Sequence, residues 1–356
     1  MKVVIGAAYG DEGKGRIVNE LSDERTTVIR FNGGAQAGHT VVQNGKRHVF
    51  SHFGAGTLKG AHTHLSRFFV LHPILHQKEL NELPMTWNPC VTVDPRCEIT
   101  FPLDVYFNNH NADNLKHGTV GVGFGETLER ASRGYDITPC NLDTAEDKMI
   151  AWANIRSAEL EIEDKTTMNR IIRDIPVYLD TINHFLKYVG CMYDEELMTT
   201  ERKLIFEGAQ GLMLDQDYGV FPHVTRSNTG MKNVIAIAGD REFDITYVTR
   251  AYGTRHGNGP FPYENAQPPF PGYQDKTNQD GGAQGKLRFA PLNLDDIRAA
   301  IKHDAGDRPY RCAITCMDEV PATVKYIHNE RLNETFQLPH VVGTVLECPV
   351  ATRYSP

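Results

Sequence analysis

The chain opens VVIGAAYG, a short apolar run closing in small residues, and passes through DEGKG into GRIVNELSDE, where Ile17, Val18 and Leu21 recur at helical spacing. Strand, glycine loop, helix is the order this predicts. A second buried strand is expected at TTVIRF, again running into glycines, GGAQAGHT, after which VVQNGKRHVF reads as a hairpin turning at Asn44-Gly45. Two glycine loops after early strands are an α/β signature. Through the middle, EDKMIAWANIRSAELEIED and TMNRIIRDIPVYLDTINHFLKYVG space their apolar residues at three and four, which predicts surface helices covering a sheet. Beyond them KLIFEGAQG, NVIAIAG, ITYVTRAYGTR and YRCAITCM return to the apolar-strand pattern. The stretch ENAQPPFPGYQDKTNQDGGAQGKLR, rich in Pro, Gly, Gln and Asp, reads as one long surface loop around Gln279. No internal repeat, low-complexity tract or composition break interrupts the chain, so residues 1–356 are expected to form one domain with loop excursions.

Composition narrows the function classes. Hydrophobic residues at 40% and charged residues at 23%, with Gly 31 and Pro 19, exclude disorder and fibrous structure. No run of about 18 apolar residues exists, and the amino terminus reaches glycine and charge within a few positions, so neither a membrane span nor a signal peptide is expected. The net charge of -8 has the wrong sign for a protein that neutralises a nucleic-acid backbone. Seven scattered cysteines, with no CxxC pair, read as free thiols of a reducing cytoplasm. Cys312 and Cys316, the nearest two, have no matching Cys/His cluster for zinc.

The chemistry lies in the loops. Glycines ahead of a helix let backbone N–H groups close on phosphate while a lysine adds charge, so Gly10-Asp11-Glu12-Gly13-Lys14-Gly15 reads as a phosphate cradle. The P-loop pattern GxxxxGK[ST] is not met: counted from Gly6 the spacing is too long, and Gly15 stands where Ser or Thr would hold magnesium. Asp11 is then the metal candidate. In GGAQAGHT, His39 sits on flexible backbone where an imidazole can face a transferring phosphoryl group. GTVGVGFG sets Thr119 among glycines that allow close backbone approach to a ligand. FEGAQG offers a strand-end acid and an amide, HVTRSNTG a cluster of hydroxyls and amides, and YGTRHGNGPFP a rigid backbone near Arg255. Each loop alone is also an ordinary turn; together they predict a polar, phosphate-rich pocket. A GxGxxG after the first strand is absent, which argues against a dinucleotide oxidoreductase.

In content and chain order these six motifs resemble the adenylosuccinate synthetase family, including its phage relatives, from residue 3 to about 318. The resemblance implies an α/β, P-loop-related fold: a large mixed, mostly parallel sheet surrounded by helices, in a homodimer. It implies a ligase that joins L-aspartate to C6 of a 6-oxopurine nucleotide, through a 6-phosphoryl intermediate, as a nucleoside triphosphate is cleaved to diphosphate and phosphate. Carried over residue by residue, Asp11 matches the base for the purine N1 proton and a Mg2+ ligand, with Gly38 joining the metal shell. His39 matches the group that hydrogen-bonds the moving phosphoryl. Gly10, Glu12, Gly13, Lys14, Gly15, Arg16, Gly38, Thr40, Arg288 and Asp318 match triphosphate positions. Asp11, Gln36, Thr119, Val120, Arg133, Gln210, Thr225 and Lys286 match purine monophosphate positions, and Gln284, Gly285, Lys286 and Arg288 match aspartate positions. The arginine that enters the partner's site is Arg130 or Arg133, with Arg133, next to Gly134, preferred.

The departures carry information. Gln36 replaces the family's Asn, and Val120 replaces a Thr whose hydroxyl would meet the nucleotide phosphate. QGKLRF stands where the family has TGRRRR, so Lys286 offers a point charge in place of a planar two-pronged donor to ribose. Thr315-Cys316-Met317-Asp318 lacks the lysine of the guanine-reading TKxD. These changes, with the short chain, point to the phage branch that takes dGMP, with ATP or dATP as donor, and yields a 2-aminoadenine precursor in the host cytoplasm. Asp11 points the other way, because that branch replaces it with a smaller hydroxyl residue. IMP with GTP is the alternative pair, and a nucleotide-binding switch without synthesis is the alternative from another class.

Overall fold

The computed structural model describes residues 1–83, 89–265, 273 and 285–353. Nine strands form the central sheet: β1 (Lys2–Gly6), β2 (Thr26–Arg30), β3 (His62–Leu65), β4 (Val91–Val93), β5 (Gly190–Cys191), β6 (Lys203–Glu207), β7 (Asp244–Arg250), β8 (Tyr310–Thr315) and β9 (Val350–Thr352). Their order across the sheet is β9-β8-β7-β1-β6-β2-β3-β4-β5. Every pairing in this sheet is parallel. The mixed character expected of the fold lies outside it, in ribbons such as the antiparallel pair His39–Gln43 and Lys46–Phe50. Parallel strands need helical crossovers on both faces and read as continuous apolar runs. β1 and β2 are buried almost throughout, and the two hydrophobic clusters of the core, one around Val4, Phe50 and Trp152 and one around Ile5, Phe206 and Tyr247, follow from that.

The opening strand, loop and helix (Lys14–Leu21) are as expected, and Asn44 and Gly45 turn the hairpin with φ 52 and φ 74, the left-handed pair such a turn demands. Two expectations are corrected. NVIAIAG is not a strand but the body of a helix, Met231–Ala238, whose buried residues Met231, Asn233, Val234, Ile237 and Ala238 follow helical spacing. A short apolar run has no periodicity of its own to separate the two states. The single helix expected over TMNRIIRDIPVYLDTINHFLKYVG is two, Thr166–Arg173 and Ile175–Tyr188, because Pro176 cannot donate into a preceding turn and instead opens a new helix. Most of the long loop around Gln279, and Gln284 with it, lies outside the described residues.

The register brings chemistry to one edge. Val4 pairs with Glu207 and Arg30 pairs with Glu207, so the carboxyl ends of β1, β6 and β2 stand side by side. Their loops meet where open parallel sheets bind ligands.

Candidate active site

The loop after β1 is shaped by its own glutamate. Glu12, 2% exposed, accepts hydrogen bonds through Oε1 from Ala8 N–H (3.1 Å) and Gly10 N–H (2.8 Å), and through Oε2 from Lys14 Nζ (2.7 Å). The Glu12 carboxylate therefore faces the protein and braces the turn, which leaves only its backbone for the triphosphate role the resemblance implies. A side chain at Gly6 would place its Cβ 2.4 Å from Glu12 Oε2 and 2.7 Å from Gln210 O, which explains the glycine. Gly15 has a similar reason to stand where a P-loop has Ser or Thr. A Cβ there would lie 2.9 Å from His39 Cβ, so the bare backbone lets the helix start pack against the second glycine loop.

Asp11 sits at φ 59, with its carboxyl 33% exposed and Oδ2 3.1 Å from His256 Nε2. Burial raises a carboxyl pKa, but here the His256 contact and charge, then Arg250 and Lys14, outweigh it and hold Asp11 at about 2. The group is an anion at neutral pH. His39, from the second loop, places Nδ1 2.6 Å from Glu207 Oε1, and Glu207 Oε2 accepts from Ala55 N–H (3.0 Å). Burial lowers the His39 imidazole pKa against the pull of Glu207, while His39 and Arg30 keep Glu207 below the usual carboxylate range despite burial. An ionised Glu207 accepting Nδ1–H fixes the tautomer and leaves Nε2 as the ring's working atom.

Asp11, Lys14, His39 and His256 line one cleft of about 690 Å³. Of the residues the motifs nominated, Gly10, Asp11, Lys14, Gln36, Gly38, His39, Thr119, Val120, Gln210 and Thr225 border it. Several of its polar atoms are buried with no hydrogen-bond partner: both amide atoms of Gln36, Gln210 Oε1, Asn108 Nδ2, Nδ1 of His117 and His223, and both ring nitrogens of His256, whose Nε2 has only its ion-pair approach to Asp11. Buried polar atoms are ordinarily satisfied, so a set of orphans around one cleft marks where a polar ligand supplies the missing bonds. Among the described residues no three His, Cys, Asp or Glu side chains gather as a metal cage. The cleft instead offers the Asp11 carboxylate and the exposed backbone of Gly38, a sparse donor set that suits Mg2+, an ion that takes few protein ligands and the rest from phosphate and water.

Other nominated residues lie elsewhere. Arg288 is engaged with its own chain: it pairs with Glu264 (2.5 Å) and donates to the carbonyls of Gly257 and Gly259 (2.8 Å each). Lys286 and Gly285 are exposed and border no part of the cleft. Arg16 pairs with Glu20 (2.9 Å), Thr40 accepts from Arg47 (3.4 Å), and Asp318 is exposed beyond β8. Thr315 of the same segment donates to Glu12 O (2.8 Å) and so seats that segment against the first loop. Arg130 is fully buried, bonded to Asp104 (3.0 Å) and to the carbonyls of Ile99 and Tyr135, so it cannot reach another subunit. Arg133 is held by Glu129 and Glu159 over the Trp152 ring. Sequence reasoning did not nominate Glu207, His256, His117 or His223, although Glu207 had been visible as the strand-end acid of FEGAQG.

The family model described as adenylosuccinate synthetase matches residues 3–289. The adenylosuccinate synthetase of Stenotrophomonas maltophilia is 32% identical over 307 residues, covering 80% of this chain and 70% of that one. That of Hamiltonella defensa is 31% identical over 317 residues, covering 84% and 72%. Among solved structures, fully ligated adenylosuccinate synthetase from Plasmodium falciparum superposes with a TM-score of 0.79 at 18% identity, covering 98% of this chain and 96% of that one. The cyanophage S-2L succinoaminodeoxyadenylate synthetase bound to dGMP and dATP superposes with a TM-score of 0.65 at 15% identity, covering 99% and 90%. Fold and sequence together define a nucleotide-dependent ligase that forms a carbon–nitrogen bond. The chain belongs to the adenylosuccinate synthetase family.

Proposed function

We propose that this ligase joins L-aspartate to C6 of dGMP, with ATP or dATP as phosphoryl donor, and forms a 2-aminoadenine precursor. One observation supports the chemistry above the rest: the ionised Asp11 and the Glu207-oriented His39 lie on one cleft with Lys14 and the unpartnered amides of Gln36 and Gln210. The purine O6 departs poorly, so it must be activated first. Asp11 takes the N1 proton, and O6 attacks the γ-phosphorus as the diphosphate leaves. His39 Nε2 hydrogen-bonds the phosphoryl oxygens in transit, and Glu207 stabilises the ring when it carries a proton. The aspartate amine then attacks C6, loses a proton, and phosphate departs. Asp11 and the Gly38 backbone would hold Mg2+, which when bound would supply neutralising charge at the phosphates. Gln210, Gln36 and Thr225, with the backbone of the loop at Thr119, hold the purine nucleotide.

The choice of dGMP rests on what no longer reads a ribose. Lys286 replaces an arginine and stands exposed, away from the cleft, and a deoxyribose loses nothing there. IMP with GTP is the second reading, favoured by Asp11, which leaves less room for a purine 2-amino group than a small hydroxyl residue, and by relatives that are named adenylosuccinate synthetases. The deciding experiment supplies Mg2+, L-aspartate and mixed ATP, dATP and GTP, with dGMP and IMP as parallel acceptors, and reads products by mass spectrometry. A succinylated dGMP supports the proposal. Product from IMP alone returns the enzyme to ordinary purine synthesis, and product from neither favours a nucleotide-binding switch.

A further inference from the structure

We propose that His117 and His223 form a two-imidazole anchor for the 5′-phosphate of the purine monophosphate, a role that rests on the ligase reading above. The loop that would meet this phosphate has lost a donor at Val120, and its remaining hydroxyl is engaged: Thr119 Oγ1 donates to Asn108 Oδ1 (3.1 Å) and accepts from Gly121 N–H (3.1 Å). A phosphate arriving there needs N–H or O–H donors from elsewhere.

His117 closes the helix Ala112–His117 directly before the Gly118-Thr119-Val120-Gly121 loop, and His223 precedes Thr225 by two positions on the facing wall. Their rings meet edge to face, with centroids 5.2 Å apart and planes at 85°. Both Nδ1 atoms are buried without a partner. The backbones are fixed by one neighbouring loop: Asn258 Nδ2 donates to Lys116 O (2.8 Å), and Arg255 donates to His223 O (3.2 Å). Two rings packed against each other on a fixed backbone, each with an unpartnered Nδ1, are prepared for a ligand.

The local charge names its sign. Burial lowers the His223 imidazole pKa, and His117, Arg255 and Arg288 lower it further, so cationic groups converge there. The acids of the cleft are engaged: Glu129 by Arg133 and Arg226, Glu159 by Arg133 and Arg156, and Asp11 by His256. Asp113, the last of them, lies at the other end of the helix that His117 closes. An anion between the imidazoles relieves the repulsion and supplies the acceptors both rings lack.

Calorimetry of dGMP, IMP, deoxyguanosine and inosine on the intact protein tests this, using H117A/H223A and the single variants H117Q and H223Q, which keep a side-chain N–H. The double variant is expected to bind the monophosphate about 10- to 100-fold more weakly, the effect of losing hydrogen bonds to a charged group. The nucleosides are expected to bind unchanged, and the Gln variants to fall between. If the double variant does not fold, the Gln variants carry the same comparison. Equal losses for nucleoside and monophosphate, or monophosphate affinity within about twofold of the parent, overturn the anchor alone. A parent protein that binds neither monophosphate overturns the ligase reading and the anchor together.

Discussion

His256 stands 3.1 Å from Asp11 across the cleft, and this contact, with Arg250 and Lys14 behind it, keeps the Asp11 carboxyl ionised near a pKa of about 2. A strongly acidic carboxylate is a weak base. On the proposed function it becomes an effective base when a ligand displaces or reorients the imidazole, because base strength follows pKa. His256→Ala is expected to move the Asp11 titration upward by about one unit, toward the ordinary value for Asp. The 13C shift of the Asp11 carboxyl, followed against pH, reads this directly, and an unmoved midpoint would show that Arg250 and Lys14 suffice.

Asp11→Asn keeps size and polarity but cannot take a proton. The expected result is a loss in kcat of about 100-fold or more, with binding of a non-hydrolysable triphosphate analogue retained when measured without metal. Turnover near the parent rate would remove Asp11 from the base role.

Glu207→Gln leaves a hydrogen-bond acceptor for His39 but withdraws the charge that stabilises the protonated ring. On the proposed mechanism kcat falls about 100-fold while KM for each substrate changes little. A change confined to KM, in steady-state kinetics, would mark Glu207 as a positioning group for the second loop and nothing more.

The buried pair of Arg130 and Asp104 gives a stability prediction. Arg130→Met strands a buried carboxylate and is expected to cost about 3–5 kcal/mol. Arg133→Ala, removing a half-exposed side chain, is expected to cost less than about 1 kcal/mol. Urea midpoints of the two variants separate a core arginine from a surface one.

Acid is expected to loosen the region around Glu79. Burial and the neighbouring His52 depress the imidazoles of His72 and His76 to about 4 and about 3, and neither ring nitrogen of His76 has a partner. A histidine whose folded pKa lies below its unfolded value stabilises the fold in full above about pH 6.5, and that contribution is lost as pH falls toward the folded value. Urea unfolding between pH 7.5 and 4.5 is therefore expected to show declining stability, and His76→Phe a shallower slope. A variant slope as steep as the parent's would place the acid sensitivity elsewhere.

The elements legible in the sequence are those whose signal is local. Asn44-Gly45 names its own turn, and the apolar runs of β1, β2, β6 and β7 name buried strands. Met231–Ala238 was not legible, because the five apolar residues Val234 to Ala238, without flanking polar alternation, fit a strand or a buried helix equally. The same limit governs the site. Asp11, Lys14 and His39 announce themselves through the glycines beside them. Glu207 and His256 acquire their roles only when the strand register and the later loops carry them to partners far away in sequence. Glu12 shows the converse: its motif was plain, while the inward turn of its carboxylate depended on the backbone it would meet.

That inward turn affects how fast a nucleotide can be captured. A loop whose amides are already pinned by an internal carboxylate does not wait for a phosphate to organise it, so on the proposed function this loop itself adds no closing step after encounter. Discrimination between triphosphates is then expected to lie in how quickly each one leaves.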